Sequence, residues 1–213
     1  MTRIRSNTFL AAACCAAFLL FAAPFGHATT INVTINSTAL NGVTAVLAFD
    51  FIDGGPPDNT VTLSALTSNG TQDSTSTTGN VTGTGPWTFS DAGGSFFNEL
   101  LVTFNPMGTS LLFSFTTTDN APDAGSSPDA FSMYVVDSTA TLPLITTDDP
   151  TGASALFLFN IGQGSEGLTV YTPDQAGFSV RASSPPSPAP EPGTLFLLLA
   201  GAMALFARRR FAR

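Results

Sequence analysis

The sequence predicts an all-β fold, a two-sheet β-sandwich of jelly-roll-like type, on three observations. Between Thr29 and Ala182, apolar residues recur in short runs rich in Val, Ile, Phe and Thr, bounded by Gly, Asp, Asn and Pro. Several runs alternate apolar and polar side chains, as a strand with one buried face requires. No convincing amphipathic helix is found in this region, and 96–104 alone is ambiguous.

Taken in order, residues 31–35 form the first expected strand. Residues 43–52 follow, where Val43-Thr44-Ala45-Val46-Leu47-Ala48-Phe49 suggests one buried face and one wetter one. Residues 60–66 repeat the alternation through Val61-Thr62-Leu63. Residues 67–85 are poor in apolar side chains and read as a long exposed loop. A short strand is expected at 87–90. In 96–104, Phe96, Leu100 and Phe104 could align on a helix, but Pro106 and the dominance of β-formers favour a strand. Residues 110–117, with Leu111-Leu112-Phe113-Ser114-Phe115, fit a central strand. The series closes with 131–137, 141–146, 155–161, 168–171 and 177–181. Ten or eleven short strands, with turn signals roughly every 10–15 residues, suit two packed sheets better than any helical architecture. Phenylalanine, 19 residues in the chain, supplies most of the core volume.

The charges restrict function. Lysine is absent, and six of the seven basic residues lie near the two ends, leaving only Arg181 between them. From Thr29 to Pro190 there are 14 acidic residues against that one arginine, a net of −13. Such a surface repels nucleic acid, so no nucleic-acid partner is expected. Cys14, Cys15 and His27 all precede Thr29, so the domain has no disulfide, no thiolate or histidine chemistry and no His/Cys zinc site. Glu99 and Glu166 are the only glutamates before the tail, and neither sits in a glycosidase pattern. The domain is therefore expected not to be an enzyme.

The ends read as addresses. Residues 1–28 form a signal peptide: Arg3 and Arg5, an apolar run, and Gly26-His27-Ala28 with small residues at −3 and −1 for signal peptidase, cutting before Thr29. The β-sandwich domain occupies 29–182. Residues 183–192 form a Pro-rich, extended spacer containing Pro190-Glu191-Pro192. Residues 193–207 are apolar and expected as a short C-terminal transmembrane helix, about 22 Å long against a hydrocarbon core of about 30 Å. Residues 208–213, led by Arg208-Arg209-Arg210, form a basic cytoplasmic tail by the positive-inside rule.

The motif Pro190-Glu191-Pro192, the apolar helix and the arginine cluster together resemble the PEP-CTERM sorting signal of Gram-negative bacteria. The resemblance implies recognition by a membrane-embedded exosortase and cleavage near the motif. It also implies passage from an inner-membrane-anchored intermediate to the cell surface or the exopolysaccharide matrix. A second resemblance, to one group of PEP-CTERM proteins, rests on Ala48-Phe49-Asp50-Phe51-Ile52-Asp53-Gly54-Gly55 and Asn59-Thr60-Val61-Thr62-Leu63, with Asp129-Ala130-Phe131-Ser132 and Thr146-Thr147-Asp148-Asp149-Pro150 as later landmarks. It implies placement and fold but no activity.

Two candidate sites remain. Asp119, Asn120, Asp123 and Asp129 are the first choice for calcium, which takes carboxylate and carbonyl oxygens; Asp50-Asp53-Asp58 and Asp148-Asp149 are further acidic groups. The plainer account is that these are turn residues. Trp87, beside Gly85-Pro86, is the candidate sugar platform, although a lone tryptophan at a strand start also fits a core. The sequence thus leads to a non-catalytic structural or adhesive protein of the surface or matrix. The alternative is a lectin-like or calcium-dependent carbohydrate-binding module, and no cofactor other than calcium is expected.

Overall fold

In a computed structural model the described residues are 28–185. They form twelve strands: β1 (Thr29–Ser37), β2 (Ala45–Ile52), β3 (Thr60–Ser68), β4 (Gln72–Thr78), β5 (Val81–Thr82), β6 (Trp87–Ser90), β7 (Phe97–Phe104), β8 (Ser110–Thr117), β9 (Ala130–Val136), β10 (Phe157–Asn160), β11 (Leu168–Val170) and β12 (Phe178–Ser183). Two single 3-10 turns, Thr38–Leu40 and Gly164–Gly167, complete the regular structure, and no α-helix occurs among the described residues. No helix there is long and apolar enough to cross a membrane; the apolar segment 193–207 lies outside the described residues.

The strands make two antiparallel sheets of six, ordered β12-β1-β8-β3-β6-β5 and β11-β10-β9-β2-β7-β4. Successive strands tend to switch sheets, so each sheet buries the apolar face of its partner. β1 illustrates the local cause: Ile31, Val33 and Ile35 are buried, while Asn32, Thr34 and Asn36 between them face solvent. β2, which pairs with both β7 and β9, is more apolar throughout, with Ala45 to Phe49 all buried.

One core joins the two sheets, and phenylalanine fills much of it. Across the interface Phe115 of β8 lies 5.0 Å from Phe131 of β9 and stacks on Phe157 of β10 at 5.5 Å. Phe113 meets Phe49 of β2 edge-to-face at 5.3 Å. Each such ring contributes about 1.5–3 kcal/mol by leaving water, and the offset and edge-on arrangements add to that.

Two expectations change. The loop expected over 67–85 contains β4 and β5; β4, Gln-Asp-Ser-Thr-Ser-Thr-Thr, is exposed at every position and pairs only with β7. An edge strand with both faces wet carries no apolar alternation, and its backbone hydrogen bonds alone define it. Conversely, the strand expected at 141–146 reduces to an isolated bridge between Val136 and Pro143. Pro143 has no N–H to extend a ladder, and Leu142 is 65 % exposed. The ambiguous segment 96–104 is the strand β7, with Asn98, Leu100, Val102 and Phe104 on its buried face.

Candidate functional site

The register of the two sheets brings several connections to one end of the domain. Thr60 pairs with Ser90, Val61 with Thr117, and Thr117 with Thr29 in the first sheet; Ile52 pairs with Phe97 and Ala130 in the second. The β2–β3, β6–β7 and β8–β9 connections therefore emerge side by side.

Asn59 ties them together. It is buried, and its Oδ1 accepts from the Thr118 hydroxyl at 2.8 Å and the Asn120 N–H at 2.9 Å. Its Nδ2 donates to Asp129 Oδ2 at 2.7 Å, and its own N–H donates to Asp91 Oδ1 at 2.8 Å. Asp129 Oδ1 accepts from the Gly54 N–H at 2.8 Å, and Asp53 Oδ1 accepts from the Gly55 N–H at 2.6 Å. Gly54 must be glycine here, because a Cβ would strike the carbonyls of Ser127 and Pro128.

Three carboxyl groups converge on this hub. Asp53, Asp91 and Asp129 each offer one oxygen, and the three oxygens lie within 4.8 Å of one another. Asp91 and Asp129 are only 3 % and 2 % exposed. Asp91 Oδ2 is sealed from solvent and has no hydrogen-bond donor. Burial pushes Asp91 up to about 7, against the opposing pull of the Asn59 N–H; its close contact with Asp129 and the charges of Asp129 and Asp53 push the same way as burial. Among the described residues the only basic side chain is Arg181, on β12 opposite Thr34. Chemically, the arrangement is a set of convergent oxygen ligands suited to a hard cation.

The sequence candidates separate. Of Asp119, Asn120, Asp123 and Asp129, only Asp129 joins this cluster. Asp119 is engaged by the Thr29 hydroxyl at 2.7 Å and the Gly162 N–H at 2.7 Å. Asn120 donates to the Asp58 carbonyl, and Asp123 is exposed in the loop turn closed by Ser126. Asp149 acts as a turn residue, its two oxygens accepting from Thr151 and Ala155. Trp87 is 6 % exposed and belongs to the core. Asp91 was not singled out by its sequence context; the only local signal is the turn Ser90-Asp91-Ala92-Gly93-Gly94.

A second acidic pair lies on the outer face of the second sheet. Asp50 of β2 pairs with Glu99 of β7 and Ser132 of β9. Burial, then the neighbouring Glu99, raises Asp50 to about 7, and burial raises Glu99 as well. Asp50 Oδ1 is buried without a donor, while the nearby Ser132 hydroxyl donates to the Tyr134 hydroxyl at 3.3 Å.

Of the expected signal-peptidase site, Ala28 is exposed and Thr29 is the first residue of β1; Gly26 lies outside the described residues. Pro190, Glu191, Pro192 and Arg208, Arg209 and Arg210 also lie outside them.

Residues 188–210 match the family defined as the PEP-CTERM protein-sorting motif. The motif marks an exported protein sorted by an exosortase to the cell surface or beyond it. No curated protein and no solved structure matches the chain significantly.

Proposed function

We propose that this chain is a non-catalytic component of the cell surface or extracellular matrix, cleaved by the exosortase at Pro190-Glu191-Pro192 and serving a structural or adhesive role. The observation that carries it is the sorting motif at residues 188–210, placed directly after the Pro-rich stretch that follows the β domain. The strand order β1-β8-β3-β6 against β2-β7-β4 supports a jelly-roll reading, with β12 and β9 to β11 as additions at the edges. A net of −13 from Thr29 to Pro190 suits a protein that stays soluble outside the cell. Signal peptidase is the other processing enzyme, and exopolysaccharide is the matrix partner of this reading.

The lectin-like alternative has less behind it, because Trp87 packs in the core rather than offering a platform. Intact mass and location of the native protein, with and without the host exosortase, test the main reading. Loss of the segment after residue 192 only when the enzyme is present is the expected result. An uncut tail in both strains would refute sorting by cleavage. A glycan array decides the alternative, which fails if no sugar is retained with or without Ca²⁺.

A further inference from the structure

We propose that Asp53, Asp91 and Asp129 bind one calcium ion, which clamps the β2–β3, β6–β7 and β8–β9 connections at one end of the sandwich. Two independent features point to a cation. One oxygen from each carboxylate falls within 4.8 Å of the other two. Separately, Asp91 Oδ2 is buried in that group with no donor, although its sister Oδ1 is satisfied by the Asn59 N–H at 2.8 Å. A native buried carboxylate oxygen without a partner is rare, and a cation supplies what the protein does not. The surrounding donors are already committed: the Asn59 amide and Gly54 N–H hold Asp129, and the Gly55 N–H holds Asp53. These contacts fix the carboxylates while leaving each with lone pairs for a metal.

The ligand type favours calcium. Oxygens within 4.8 Å of one another fit a shell that holds its ligands at about 2.3–2.6 Å. Three hard carboxylates, with water or loop carbonyls completing the shell, match the oxygen-only preference of calcium. Extracellular modules commonly bind it at about 0.1–1 mM, a range an exported domain can use.

The test uses the full-length protein, stripped with EDTA and then desalted. Calorimetric titration with CaCl₂ should give one ion per chain. Thermal melts should rise by about 4 °C at a tenfold excess over the dissociation constant. Asp91→Asn keeps an acceptor for the Asn59 N–H but puts an amide in place of the free oxygen. It should weaken calcium binding at least tenfold and abolish the thermal shift, and its melting point without calcium should be no lower than that of the parent. Asp73→Asn, on exposed β4, should bind as the parent does. If Asp91→Asn does not fold, Asp53→Asn in the half-exposed loop decides, with the same loss expected. No binding by the parent at about 5 mM Ca²⁺ would overturn the proposal. So would weak, multiple sites of equal strength in parent and variant, or a larger thermal shift with Mg²⁺.

Discussion

Replacing Asp50 by asparagine should change how the stability of this domain depends on pH. Asp50 faces Glu99 across the β2–β7 pair, has a buried oxygen with no donor, and is raised from 3.8 to about 7. Below about pH 3.8 the group is protonated in both the folded and unfolded chain, and it has no differential effect. Between about 3.8 and 7 the unfolded chain releases the proton and the folded chain keeps it, so stability falls as pH rises. Above about 7 both states are ionised and the whole cost is in place. At about 1.4 kcal/mol per unit, the full displacement corresponds to about 4 kcal/mol. Asp50 is partly exposed, and screening by solvent reduces this to about 2 kcal/mol. Asparagine does not titrate in either state and offers an amide donor toward Glu99. Urea unfolding of parent and Asp50→Asn at intervals from about pH 4 to pH 8 measures the difference. The variant should gain about 2 kcal/mol on the parent across that window. Parallel curves for the two proteins would refute the assignment of a strained, buried carboxylate at this position.

Three further substitutions test the packing and the connections. Phe131→Ala removes a ring with four phenylalanine neighbours at 5.0 to 6.2 Å and should cost about 3–5 kcal/mol in urea unfolding; a loss below about 1 kcal/mol would show a core that collapses around the gap. Asn59→Ala keeps the main-chain N–H to Asp91 but leaves Asp129, the Thr118 hydroxyl and the Asn120 N–H without their side-chain partner, and should cost about 2–4 kcal/mol, with faster hydrogen exchange at Asn120; unchanged exchange would remove Asn59 as the tie between loops. Gly79→Ala tests the unexpected β4 edge. Gly79 has φ +73° and an added Cβ would strike the Phe97 carbonyl, so unfolding should be easier by about 1–2 kcal/mol; a neutral effect would indicate that β4 is not paired to β7.

Burial leaves a record in sequence that backbone pairing does not. Ile31, Val33 and Ile35, or Val61 and Leu63, alternate with polar residues because their side chains enter a core, and their strands were legible residue by residue. The sorting address was legible for a related reason: a linear signal is read as a chain segment, so motif, apolar run and arginines suffice without a fold. The absence of histidine and cysteine after Thr29 is likewise read from composition alone.

The tertiary structure decided what depends on convergence. β4 exists because β7 offers its edge, and hydrogen bonds between main chains are indifferent to the Ser and Thr side chains they carry. Trp87 became core rather than surface because β6 faces the opposing sheet. Asp53, Asp91 and Asp129 stand in three separate connections, each resembling an ordinary turn acid in its own neighbourhood. Only the register of the two sheets places them together, and only burial within that end removes the water that would otherwise make three nearby carboxylates unremarkable.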